Sequence, residues 1–130
     1  MIALDTHAVI WLGENSDRLS RNAAHAIREA QDSNEELIVS TVSLYEIARG
    51  ILRGRIVSKV AVKELFIAIE RRFTAIPLTA DIALAAAQLP STFPSDPFDR
   101  IIAATALVSG AVLITADERI RRSGAVRTLW

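Results

Sequence analysis

Apolar positions along the chain alternate between short unbroken runs and longer stretches in which they recur every three or four residues. Residues 2–4, 37–39 and 112–115 are runs of the kind that form strands buried on both faces. A further strand is predicted over 73–78, with Pro77 marking an edge or a strand end, and a fifth over 126–129. Helical spacing fills the intervals. One helix carries Val9, Ile10 and Leu12 and stops at Gly13. Another, capped by Ser20, lines up Ala23, Ala24, Ile27 and Ala30. A third opens at Ser43 and carries Leu44, Ile47, Ile51 and Leu52. Val62, Leu65, Phe66 and Ile69 define a helix over 58–72, and Thr79 caps one reaching residue 89. The three-proline segment 90–97 predicts a loop. A strongly apolar helix over 97–109 ends at Gly110, and a short helix covers 117–122.

Strands alternating with helices imply βαβ units, hence an α/β domain with a parallel sheet covered on both faces. No repeat, linker or low-complexity tract divides the chain, so 1–130 is expected to form one domain. In such sheets ligands bind outside the carboxyl ends of the strands. The residues just after each strand are therefore where function is to be sought.

Composition narrows the chemistry. The 130 residues include no cysteine, which excludes disulfides, thiolate zinc sites and a cysteine nucleophile and suits a reducing cytoplasm. Fifteen basic residues balance fifteen acidic ones, so any nucleic-acid partner must be recognised by local charge rather than net charge. No signal-peptide pattern opens the chain, and no apolar run reaches the roughly 18 residues of a membrane span. There is no Gly-rich dinucleotide fingerprint, P-loop or Gly-x-Ser-x-Gly elbow.

The acids supply the positive signal. Asp5 directly follows the first strand, and Asp117 follows the fourth by two residues. Glu46 and Asp99 fall in the first turns of predicted helices. Each has an ordinary explanation: Asp5 and Asp117 as caps, Ser43-Leu44-Tyr45-Glu46 as a capping box, and Asp99 as an anion favoured by the helix dipole behind the Asp96-Pro97 start. Together, however, they would bring four carboxylates to one sheet edge. Like charges so close raise one another's pKa unless a cation joins them. Hard oxygen ligands favour Mg²⁺ or Mn²⁺. Asp96 is expected mainly as an N-cap, and Thr115 and Thr6 could place hydroxyls at the rim.

Leu4-Asp5-Thr6-His7, Ser43-Leu44-Tyr45-Glu46-Ile47, Asp96-Pro97-Phe98-Asp99-Arg100 and Leu113-Ile114-Thr115-Ala116-Asp117 together resemble the blocks of PIN domains, most closely those of VapC-type toxins. The resemblance spans nearly the whole chain in the right order. It implies a three-layer α/β/α fold with sheet order 3-2-1-4-5. It also implies a Mg²⁺- or Mn²⁺-dependent endoribonuclease with Asp5, Glu46, Asp99 and Asp117 as the acidic site and Thr115 as an accompanying polar residue. A homodimer and a VapB-like antitoxin are the implied partners, with RNA as substrate and one or two metals bound.

An acidic pocket repels RNA, so basic groups are needed beside it. Arg49 and Arg53 lie three and seven residues after Glu46, on one helix face. Arg100, Arg119, Arg121 and Arg122 follow the other acids, and each has a solvated helix face as its ordinary alternative. His25 is expected at the surface or in helix packing, His7 in packing, and Trp11 in the core or a dimer contact. Tyr45 and Phe98 are expected to wall the site. A competing reading is a non-enzymatic binding module in which the acids serve only as caps.

Overall fold

A computed structural model describes residues 1–130. Its elements in chain order are β1 (Ile2–Leu4), α1 (Thr6–Glu14), a 3₁₀ turn (Ser16–Arg18), α2 (Arg21–Asp32), β2 (Leu37–Ser40), α3 (Thr41–Leu52), α4 (Val62–Arg72), β3 (Thr74–Ile76), α5 (Ala80–Gln88), α6 (Pro97–Val108), β4 (Val112–Ile114), α7 (Glu118–Ser123) and β5 (Thr128–Leu129). The five strands form one parallel sheet in the order β3-β2-β1-β4-β5, as the sequence pattern and the resemblance predict. None of the helices is long and apolar enough to cross a membrane.

The period-2 alternation of a strand divides the core. Leu4, Val39 and Ile114 face one side, packing against Val9 of α1, Ile27 of α2, Ile47 of α3 and Ile69 of α4. Ala3, Ile38 and Leu113 face the other, against Ile102, Ala103 and Ala106 of α6. Leu4, Ile38, Val39 and Leu113 are inaccessible to solvent, and truncating one such side chain to alanine costs roughly 2–5 kcal/mol. Because β1 is central, it delivers Asp5 to the middle of the carboxyl edge, flanked by the ends of β2 and β4.

Several boundaries differ from the sequence expectation; β3 and β5 are shorter than the runs 73–78 and 126–129, and three helices start or end elsewhere for a visible reason. Helix α1 runs through Gly13 to Glu14, since nothing at Gly13 requires a break. Helix α3 begins at Thr41, capped by Ser40, so Ser43 lies inside it and is buried. The capping box at 43–46 therefore does not form. Helix α4 starts at Val62; Ser58 instead closes a small turn with Val60.

Candidate active site

Four elements bring carboxylates to the carboxyl edge of the sheet. Asp5 leaves β1 with its N–H donating to the Ile114 carbonyl at 3.1 Å, and its Oδ1 accepts the Ala8 N–H at 2.8 Å. It caps α1 while facing the cleft. Burial pushes its pKa up, opposed by hydrogen bonds from the Thr115 hydroxyl and the Ala8 amide. Thr115 is fully buried, and its Oγ1 also accepts the Asp117 N–H at 3.1 Å. The same hydroxyl thus holds the Asp117 backbone and favours the Asp5 carboxylate. Asp117 in turn caps α7, accepting from Arg119 N at 2.9 Å and Ile120 N at 3.3 Å, and Arg119 lies 3.7 Å from its other oxygen.

Glu46 extends from α3. Freed from any capping box, it accepts the Thr6 hydroxyl at 2.6 Å. Thr6 has one proton to give. That proton goes to the carboxylate, and Ser43 Oγ, 3.0 Å away, can donate to Thr6 in turn. Burial raises the Glu46 pKa, the Thr6 bond opposes it, and Asp96 raises it further.

Asp99, in the first turn of α6, has no hydroxyl or amide holding its charge. Burial pushes its pKa up to about 6, and the charges of Asp96, Asp117, Glu46 and Asp5 all push the same way. This acid thereby reports the mutual approach of all the others. Asp96 caps α6 through Phe98 N and Asp99 N at 2.8 and 3.2 Å, as expected, yet also faces the shared space.

The five carboxylates line one open cleft of about 540 Å³, together with His7, Trp11, Arg18, Ala116 and Ile120. They surround it rather than close on a point: no three acids or imidazoles stand in a ready ligand set. Mg²⁺ is ordinarily held by one or two carboxylates and keeps several waters, so this all-oxygen, open arrangement fits such an ion. Asp5 and Asp99 would hold it directly, with Glu46 and Asp117 reaching it directly or through water.

Several side chains depart from the sequence expectation. Arg100 does not serve the cleft. Its guanidinium donates to the carbonyls of Ala86 at 3.2 Å, Leu89 at 2.6 Å, Pro94 at 3.4 Å and Phe93 at 3.5 Å, tying the end of α5 to the loop before α6. His7 is exposed and lines the cleft instead of packing inside. Trp11 is half-buried against the core, as expected, and also lines the cleft; its ring meets His7 at 5.6 Å and Trp130 at 5.7 Å, with Arg18 over it at 4.7 Å. Arg18 was not legible as a neighbour of the acids, because only the 3₁₀ turn returns it to Trp11. His25 is at the surface, as expected, 3.8 Å from Glu29. Arg122 pairs with Glu118 one turn away on α7.

An acid-lined cleft at the carboxyl edge of a five-stranded parallel sheet, with a central first strand that ends in aspartate, defines the class. The PIN-domain family profile matches residues 2–125, and the chain belongs to that family. The chain is 34% identical to Ribonuclease VapC22 of Mycobacterium tuberculosis (strain ATCC 25618 / H37Rv), over 99% of this chain and 98% of that protein. Among solved structures it is similar to VapBC2 from Rickettsia felis bound to a promoter DNA fragment, with TM-score 0.76, 18% identity and coverage of 100% and 99% of the two chains. It is also similar to VapBC-1 from nontypeable Haemophilus influenzae, with TM-score 0.70, 23% identity and coverage of 99% and 97%. At these identities the structural likeness is one of fold.

Proposed function

We propose that this PIN domain is a Mg²⁺- or Mn²⁺-dependent endoribonuclease, the toxin of a VapBC-like pair, acting in the cytoplasm as a homodimer and restrained by a VapB-like antitoxin. The observation that carries the catalytic reading is that Asp5, Glu46, Asp96, Asp99 and Asp117 line one open cleft at the carboxyl edge of the sheet, where burial, and after it the neighbouring acids, raise the Asp99 carboxyl. A fold does not need such an arrangement, which a bound cation relieves. The full-length 34% identity to a ribonuclease supports RNA as substrate. The similarity to a toxin–antitoxin complex from Klebsiella pneumoniae, with TM-score 0.66 and 20% identity, agrees with the partner.

When bound, the ion supplies Lewis-acid stabilisation of charge on the phosphate and a water acidic enough to attack it. The chain's own residues arrange the rest. Asp5 and Asp99 provide the anionic oxygens at the centre. Thr115 fixes the Asp117 backbone beside Asp5, the Ala8 amide fixes the Asp5 carboxylate, and Thr6 fixes Glu46. Glu46 and Asp117, on opposite sides of Asp5, are the groups that can orient an attacking water.

The test is cleavage of RNA by purified, antitoxin-free protein. Mg²⁺ or Mn²⁺ should be required, EDTA should stop the reaction, and Asp5→Asn should reduce the rate by at least a hundredfold. Unchanged cleavage by Asp5→Asn would remove Asp5 from the catalytic site, whereas no metal-dependent cleavage by wild type would favour a binding module whose acids are only caps.

A further inference from the structure

The acid cleft is not an isolated depression. Through His7, Glu46 and Asp96 it continues into a second hollow of about 340 Å³. The far wall of that hollow carries Arg49, Arg53 and Arg55. All three arginines are exposed, and none belongs to any of the four ion pairs in the chain. Their grouping is built into the backbone. Gly54, at φ +71°, turns the chain back at the end of α3, and the N–H groups of Arg55 and Ile56 donate to the Gly50 carbonyl at 2.8 and 3.1 Å. The Ile56 side chain packs directly over Gly50: a Cβ there would lie 2.3 Å from Ile56 Cδ1, so that side chain would have to move.

At the edge of the same hollow, Phe98 pairs with Tyr45, ring centroids 5.5 Å apart and tilted by 55°. Tyr45 is 56% exposed despite being a large aromatic. Each ring is next in sequence to an acid of the site, Tyr45 to Glu46 and Phe98 to Asp99.

We infer that this surface is the track for a single-stranded segment of RNA, with Arg49, Arg53 and Arg55 taking backbone phosphates and the Tyr45–Phe98 pair stacking an unpaired base. The inference rests on the ribonuclease reading and deepens it by naming the side chains outside the acidic site that would hold the strand. A polyanion is repelled by five carboxylates, so its attraction must come from uncompensated cations that adjoin them, and these three arginines do so. An exposed aromatic face stacks a base of any sequence, but only one not already stacked within a helix. Duplex RNA, read by shape and phosphate alone, would make no use of Tyr45.

Steady-state cleavage by the full chain with Mn²⁺ tests this, on a single-stranded oligoribonucleotide and on the same strand annealed to its complement. Wild type should prefer the single strand by at least tenfold in kcat/KM. Arg49→Ala/Arg53→Ala should raise KM about tenfold with kcat within about twofold, and should flatten log kcat/KM against log salt by about 0.7 per arginine removed. Arg49→Lys/Arg53→Lys should restore most of the KM. Tyr45→Ala should lose about tenfold in kcat/KM on the single strand, whereas Tyr45→Phe should keep it. Thermal melting checks that each variant is folded. Wild-type cleavage matched by the alanine variants, or a preference for duplex, overturns this inference and leaves the ribonuclease reading standing. No cleavage of any RNA by wild type removes both.

Discussion

The Thr6 hydroxyl donates to Glu46 Oε1 at 2.6 Å, joining the start of α1 to the second turn of α3 across 40 residues of sequence. Thr6 is buried, whereas Glu46 is only half-buried, so the threonine is the fixed member and the glutamate the one held in place. Thr6→Val keeps the shape and removes the donor. It should lower the RNA-cleavage rate about tenfold, with a stability loss of about 1 kcal/mol that urea unfolding would detect. Thr6→Ser should retain most of the rate. Equal activity of the valine and serine variants would mean that the bond does not position Glu46.

The raised carboxyls set the direction of the pH dependence. Asp99 titrates near 6 in the folded protein but at the ordinary 3.8 when exposed. Between these values the folded state holds a proton that the unfolded chain has released. Stability of the metal-free protein should therefore fall as pH rises from about 4 to about 6 and level off above. Raised pKa values at Asp5 and Glu46 act in the same sense. A divalent ion should reverse the trend, raising Tm more at pH 7.5 than at pH 5, because at the lower pH it must displace protons. Differential scanning fluorimetry across pH, with EDTA or Mn²⁺, would show it. A metal-free Tm that climbs through this window would contradict the assignment of mutual repulsion.

Arg100 follows Asp99 in sequence but works as a clamp on four carbonyls. Arg100→Ala would leave those groups short of a charged donor. It should cost about 2 kcal/mol, a Tm decrease of several degrees, with KM for RNA little changed. A large KM increase without loss of stability would restore it to the substrate site.

Much of this arrangement was legible in the chain before any coordinates. The five strands follow from apolar runs separated by helical periods, and their order follows from the resemblance. Asp5 and Asp117 were placed at the sheet edge because each sits just beyond a strand. What could not be read locally was direction. The Ser43-to-Glu46 spacing satisfies a capping box as well as it satisfies a helix interior, and only Ser40, one turn earlier, decides between them by taking the cap itself. Arg100 and His7 escape local reading for a related reason: neighbours in sequence on a helix point about 100° apart. Asp99 therefore faces the cleft while Arg100 turns towards α5, and Thr6 is buried while His7 looks outward. Arg55 entered the site only through the turn at Gly54, which helical spacing does not see.

Trp130, at the end of the described chain, packs on Trp11, which in turn lines the cleft. Removing Trp130 should loosen Trp11 and redden its fluorescence emission, and should lower Tm modestly. Unchanged emission from Trp11 in the truncated chain would show that the contact does not hold that wall.

If the carboxylates around Asp99 are tolerated together because they share a divalent cation, the folded protein must take one up. Isothermal titration of Mn²⁺ into the folded, EDTA-treated protein at pH 7.5 measures this most directly, with Asp99→Asn in parallel. Wild type should show saturable uptake, weakened at least tenfold in Asp99→Asn while the variant stays folded. No uptake by folded wild-type protein, or equal uptake by both, would contradict a shared cation.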